Sequence, residues 1–100
     1  MKNIFELSKA QTDGWFSKNL DTINGSQVAL RVMEEYTAEF HIHENSEEMF
    51  IVLNGSIFID TESETVTLNK GDTYTVSPGI KHRARVVGRA ELIVILGEIS

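Results

Sequence analysis

The chain contains no cysteine. A disulfide framework, a thiolate nucleophile and a thiolate metal ligand are therefore all excluded. The same absence fits a reducing compartment and predicts a cytoplasmic protein. Basic residues are scarce as well: 9 Lys and Arg face 15 Asp and Glu, a formal net charge of −6. Nucleic acids and anionic membranes reward a basic face, so neither is expected as the main partner. No apolar run approaches the roughly 20 residues of a membrane-spanning helix. The opening MKNIFELSKAQTDGW lacks the apolar core of a signal peptide. Histidine is rare too, with three in the chain, and where those three fall is the main clue to function.

What is present suits one small soluble domain. One hundred residues are enough for one compact unit and too few for two. Residues 2–11 place Ile4 and Leu7 at helical spacing beside Phe5, which predicts a short helical turn or an arm within residues 1–14. Thr12-Asp13-Gly14 reads as a turn. Trp15 and Phe16 are large apolar anchors expected in the core.

Beyond Trp15 the punctuation is that of an all-β chain. Strands are expected over Trp15–Ile23, Gln27–Met33, Phe40–His43, Glu48–Leu53, Ser56–Asp60, around Val66 and Leu68, and over Tyr74–Val76, Arg83–Val87 and Glu91–Leu96. Asn24-Gly25 and Asn54-Gly55 suit tight hairpins. Gln27–Met33 alternates, with Val28, Leu30 and Val32 on one face and Ala29 and Arg31 on the other. Glu34–Glu39 reads as a polar loop or irregular strand. Nine or ten short strands with regular turns predict a sandwich or barrel. Leu92–Leu96 is apolar at every position, so it must be buried on both faces or meet a second subunit.

The stretch around FHIHENSEEMFIVLNG carries the chemistry. On an extended chain His41 and His43 project from one face, with Cα atoms roughly 6.5 Å apart. Two imidazoles so placed can converge on one metal ion, and a carboxylate from the following strand, Glu47 or Glu48, can close round it. Alternation sends one of those two inward. A histidine pair of this spacing is by itself a weak signal. Imidazoles with carboxylates suit Zn, Fe, Ni, Cu or Mn. Phe40, Met49, Phe50 and Tyr74 read as core. Lys81, Arg83 and Arg85 form a basic cluster, which is either a solvated edge strand or a mouth that attracts anions.

His41-x-His43, then Glu48 and Gly55, resembles the first motif of the cupins. Gly71, then Ser77-x-Gly79-x-x-His82, is similar to their second. The resemblance spans residues 26–96. It implies an all-β cupin-type double-stranded β-helix, a jelly-roll barrel, with a short N-terminal arm. It also implies one divalent transition metal (Zn, Fe, Mn or Ni) held by His41, His43, Glu48 and His82. Short cupins of this kind are often labelled sugar-phosphate-isomerase-like or mannose-6-phosphate isomerase-like. Three positions depart from the pattern: Glu35 replaces a glycine, Ser77 precedes rather than is the proline, and Val86 replaces an asparagine.

The function expected from this set is metal-dependent chemistry, isomerisation or dioxygen chemistry on a sugar or small oxygenated acid. Glu47 and Tyr74 are the candidate proton-transfer groups, and Glu47, Tyr74 and Thr75 are candidates to orient the imidazoles. A non-catalytic small-molecule-binding or regulatory module, or a barrel with a purely structural metal, is the alternative. The expected partner is a small, anionic ligand or substrate. The apolar last strand (Val94, Leu96) together with Trp15 predicts a homodimer.

Overall fold

A computed structural model describes residues 1–12 and 14–97, so Asp13 of the expected Thr12-Asp13-Gly14 turn lies outside the described residues. The chain opens with helix α1, Ile4–Lys9, which is short and locally capped. The Asn3 side chain accepts hydrogen bonds from the backbone N–H groups of Phe5 (3.1 Å) and Glu6 (3.0 Å), satisfying two donors that a first turn leaves free. Seven strands follow among the described residues: β1 Trp15–Ile23, β2 Ser26–Thr37, β3 Glu48–Asn54, β4 Ser56–Thr61, β5 Thr65–Asn69, β6 Thr73–Val76 and β7 His82–Leu96. All the pairings are antiparallel.

β7 is the spine. The strands run β1-β2-β7-β3-β6, with β4 pairing β7 and β5 pairing β4. The C-terminal half of β7 lies between β2 and β3. Its N-terminal end pairs β4 through His82–Arg85. One strand thus serves both halves of the sheet, which curls into the expected jelly roll. The expected strands Arg83–Val87 and Glu91–Leu96 are joined in β7, and β2 runs on to Thr37 as the irregular strand that was one of the two readings of Glu34–Glu39. Seven strands thus stand among the described residues where nine or ten were expected. Phe40–His43 is no strand. It is tied down by one bridge, His41 to His82.

The join is made by paired distortions. Gly88 has φ +83°, and Glu35, across the β2–β7 ladder, has φ +45°. The register shifts between Glu34 and Tyr36, and the Gly88 N–H donates to Glu35 Oε1 at 2.9 Å. A bulge of this kind increases twist and bends the sheet. Glu35 therefore adopts the left-handed conformation for which the glycine of the related motif would be suited.

The core lies inside the curl, and Met33, Phe50, Val52, Ile57, Ile59, Val86, Leu92 and Val94 belong to it. Val86, where an asparagine was expected, is a core residue 2% exposed. The alternation of β2 is as read, but its sides have different neighbours from those its polarity implies. Arg31 and Met33 share the interior face, while Leu30 and Val32 are fully buried on the other face. That outer side is where α1 meets β2 and where Arg89 donates to the carbonyls of Ser8 and Gln11.

The last strand has both faces buried within one chain. Leu92 and Val94 point into the core, and Ile93 is 8% exposed on the opposite side. Val94 is therefore no outer-face residue. Trp15, expected in the core, is 43% exposed, and Phe16 is half-buried. Among the described residues β1 pairs with β2 alone and lies at the sheet edge, where less of the fold is available to cover it.

Candidate metal centre

Three short pieces of backbone bring the candidate ligands together. Glu48 opens β3 opposite Leu96 and Val76, and its alternation turns the carboxylate inward to 3% exposure. Glu47, one residue earlier, turns outward. His82 opens β7 and is 1% exposed. His41 is held to it by two backbone hydrogen bonds, His41 N–H to the His82 carbonyl (2.9 Å) and His82 N–H to the His41 carbonyl (3.0 Å). The carbonyl of His43 accepts from Gly79 N–H at 2.9 Å, which ties the Pro78-Gly79 turn to the histidine segment. The loop is not a strand, yet these bonds hold both imidazoles on one side.

One potential ligand atom from each of His41, His43, Glu48 and His82 lies within 4.8 Å of the others. Glu48 Oε1 is 2.8 Å from His82 Nε2 and 3.8 Å from the Nε2 atoms of His41 and His43. Metal–nitrogen bonds of about 2.0–2.1 Å place neighbouring ligand atoms about 3–4 Å apart, so small side-chain adjustments seat one ion. The other ring nitrogens are engaged with backbone: His82 Nδ1 lies 2.8 Å from the Ile80 carbonyl and His41 Nδ1 3.1 Å from the Glu39 carbonyl. In His41 a proton on Nδ1 donates to the carbonyl and leaves the Nε2 lone pair facing the centre, the arrangement that metal-binding imidazoles use. His82 instead donates from Nδ1 to Ile80 and from Nε2 to Glu48, so an ion would take the place of its Nε2 proton. The donor set and its orientation fit a borderline divalent metal.

The electrostatics favour charge at this spot. Burial alone would raise the Glu48 carboxyl, but the His82 hydrogen bond and its charge outweigh it and hold the group below its ordinary value. Burial alone would lower the His82 imidazole; Glu48 and the Ile80 carbonyl together raise it. His43 falls below its ordinary value because burial outweighs the pull of Glu48. Glu48 is thus kept ionised, with His43 leaning neutral and His82 leaning charged against it, so a cation bound here would replace the His82 proton.

A cavity of about 660 Å³ opens onto His41, His43 and Glu48. Trp15, Tyr36 and Phe40 form aromatic parts of its wall, and Arg31 and Glu39 are its other charged residues. Trp15 stacks on Tyr36 with ring centroids 4.8 Å apart. Glu47 and Tyr74 lie elsewhere. Glu47 lines a separate shallow depression with Met49 and Thr75, and Tyr74 packs against the apolar core across from Phe50. Phe50 is core as read, whereas Phe40 is 40% exposed.

The basic cluster is not a mouth. Arg83 and Arg85 alternate with the inward-facing His82, Ala84 and Val86, so they point out of the curl. Both bind Asp60 there, at 2.9 and 3.0 Å, and stack on Phe40 and Phe58 at 4.4 and 4.5 Å. β7 is a central strand, so the edge-strand reading of this cluster fails too. Arg31 and Tyr36 escaped the sequence reading because a polar residue in an alternating strand is read as solvent-facing.

Known proteins match this chain at both levels. The uncharacterized protein YdbB of Bacillus subtilis (strain 168) is 31% identical over 88 residues, covering 85% of this chain and 75% of that protein. The uncharacterized HTH-type transcriptional regulator YobQ of the same organism is 36% identical over 61 residues, 60% of this chain and 25% of the regulator, so the match spans a quarter of YobQ. A cupin-2 domain containing protein from Shewanella frigidimarina has the same fold, with a TM-score of 0.87 at 22% identity over 97% of this chain and 94% of that one. Residues 29–96, which carry the core strands and all four clustered side chains, match the family model of the cupin domain, and the chain belongs to the cupin family.

Proposed function

We propose that His41, His43, Glu48 and His82 hold one divalent transition metal, Zn, Fe, Mn or Ni, and that the adjoining cavity takes a small oxygenated molecule. Bound there, such an ion supplies Lewis-acid polarisation of a ligand oxygen or a low-pKa water, the chemistry of isomerase- or dioxygenase-type reactions. The reading is thus an enzyme acting on a sugar or a small oxygenated acid. One observation carries it: His41, His43 and Glu48 face a cavity of about 660 Å³. A purely structural metal is closed off by its ligands, whereas a working one keeps a side open.

The chain's own residues divide the remaining tasks. Ile80 and Glu39 carbonyls orient two imidazoles. Met33, Phe50 and Leu96 supply apolar lining that excludes water from part of the cavity. Glu39 and Tyr36 line the cavity and are better placed for proton transfer than Glu47 or Tyr74.

A second reading has one observation in its favour. A relative of this chain is named as an HTH-type transcriptional regulator, which supports a cupin that binds a small molecule and signals without turnover. Cobalt-loaded protein separates these cases. If the metal site is open, small sugars or organic acids shift its visible absorption bands; no shift with any of them would leave a structural metal. Turnover of a molecule that shifts the bands supports the enzyme, and a shift without turnover supports the sensor.

The cytoplasmic location belongs to the same reading and rests on the lack of cysteine. A homodimer is supported by the free edge of β1 with its exposed Trp15 and Ile23. Sedimentation at high micromolar concentration should give the dimer mass, and a monomer there would count against it.

A further inference from the structure

One cavity residue has no role in the ligand set. Arg31 sits mid-way along β2 on the interior face, with Ser17 of β1 and Leu92 of β7 as its cross-strand neighbours. Its Nε is buried and has no hydrogen-bond partner among the described residues. Its guanidinium lies 5.8 Å from the centroid of the Trp15 ring. Among the described residues it makes no ion pair, unlike Arg83 and Arg85, which share Asp60. A buried guanidinium N–H left without an acceptor is costly. The side chain that carries it lines the cavity wall, so an acceptor from outside the chain, water or a bound ligand, can meet the guanidinium there.

Among the described residues Arg31 is the single Lys or Arg on that wall, and Glu39 and Glu48 share it. A doubly charged phosphate would meet one cation and two carboxylates there. A neutral sugar would leave the guanidinium without a charged acceptor. A planar, singly charged carboxylate matches one guanidinium edge in both charge and shape. Glu48 feels the Arg31 charge but does not fill this role, because its carboxylate is engaged by His82 at 2.8 Å and, among the described residues, forms no ion pair or hydrogen bond with Arg31.

We propose that the cavity selects a small carboxylic acid, with its carboxylate bound by Arg31, its body against the Trp15–Tyr36 stack and its far end towards His41, His43 and Glu48. The orientation of the far end rests on the metal reading; the carboxylate anchor does not.

Titration calorimetry with short mono- and dicarboxylic acids, their neutral amides and inorganic phosphate tests this, in metal-loaded and in chelator-stripped protein. The acids should bind, and the matching amides should bind at least about tenfold more weakly. Arg31→Gln should weaken acid binding by about tenfold or more at unchanged metal content. Arg31→Lys, which keeps the charge but loses the fork, should fold even where Arg31→Gln does not, and should still bind acids less well than the native chain. Retention of acid binding in stripped protein would support the anchor even if the metal reading failed. The proposal is overturned if no acid binds, if acids and amides bind alike, or if phosphate binds more tightly than every acid. It is also overturned if Arg31→Lys binds acids as the native chain does, or if either variant loses metal, which would make Arg31 a support for the ligands.

Discussion

Glu48 is buried against His82 and within 3.8 Å of two further imidazoles, and its substitution should act on both stability and metal. Glu48→Gln keeps the shape but leaves His82 without its ionic partner. Removing one member of a buried pair costs about 3–5 kcal/mol, so the urea midpoint of chelator-treated protein should fall markedly. His41 and His43 have side chains 42% and 25% exposed. Their joint replacement by Ala should cost less than about 1 kcal/mol in chelator while abolishing metal uptake. Metal content equal to the native chain in either variant would contradict the assignment. Asp60 supplies the clearest pH dependence. Hydrogen bonds from Arg85, together with those from Arg83 and Thr65, outweigh burial and hold its carboxyl far below the usual range. A depressed carboxyl stabilises the fold above its unfolded pKa of about 4, and that stabilisation disappears as pH falls below it. Asp60→Asn should therefore lower stability at neutral pH by about 2 kcal/mol and flatten the acid limb of the stability curve. An unchanged acid limb would show that another group governs it.

At the scale of the element, β7 depends on the paired distortions at Glu35 and Gly88. A non-glycine residue in the left-handed region costs about 1–2 kcal/mol, and the Glu35–Gly88 hydrogen bond offsets part of that. Glu35→Ala keeps the strain and loses the bond, so it should destabilise by about 1 kcal/mol. Glu35→Gly relieves the strain as it loses the bond and should fall within about 0.5 kcal/mol of the native chain. Thermal melts that put the two variants in the reverse order would refute this account. Gly55 is a sharper case. It has φ +79°, and a Cβ there would collide with the Arg89 carbonyl oxygen. Gly55→Ala should cost several kcal/mol, whereas Gly79→Ala, with open space at the same φ sign, should cost about 1–2 kcal/mol. The hairpin glycines were legible because turn chemistry is local. The continuity of β7 through Gly88 was not, since glycine normally ends a strand and the bond that rescues it comes from 53 residues away. For the same reason Glu35 looked like a broken motif although its backbone takes the left-handed conformation that a glycine favours.

At the scale of the whole molecule, the fold and the ligand cluster were legible because they follow from strand period and motif spacing. A period of two sends one of Glu47 and Glu48 inward, and the resemblance to the cupin motif, with its glutamate before Gly55, is what singled out Glu48. The cavity was not legible, because its wall joins residues from β1, β2 and β7 that no local pattern links. Arg31 faces inward in a strand whose outer side is buried as well, and neither fact can be read from alternation alone. Neither reading of Lys81, Arg83 and Arg85, a solvated edge strand or an anion-attracting mouth, was settled by the sequence for a similar reason: Asp60, on another strand, holds two of them. The central claim is that the four clustered side chains bind one metal per chain. Elemental analysis of untagged protein purified without chelator tests it most directly. The account predicts close to one equivalent of Zn, Fe, Mn or Ni, lost in the His41→Ala, His43→Ala double variant. No metal as purified and none taken up on reconstitution would contradict it and leave the three histidines as a hydrogen-bonded part of the barrel.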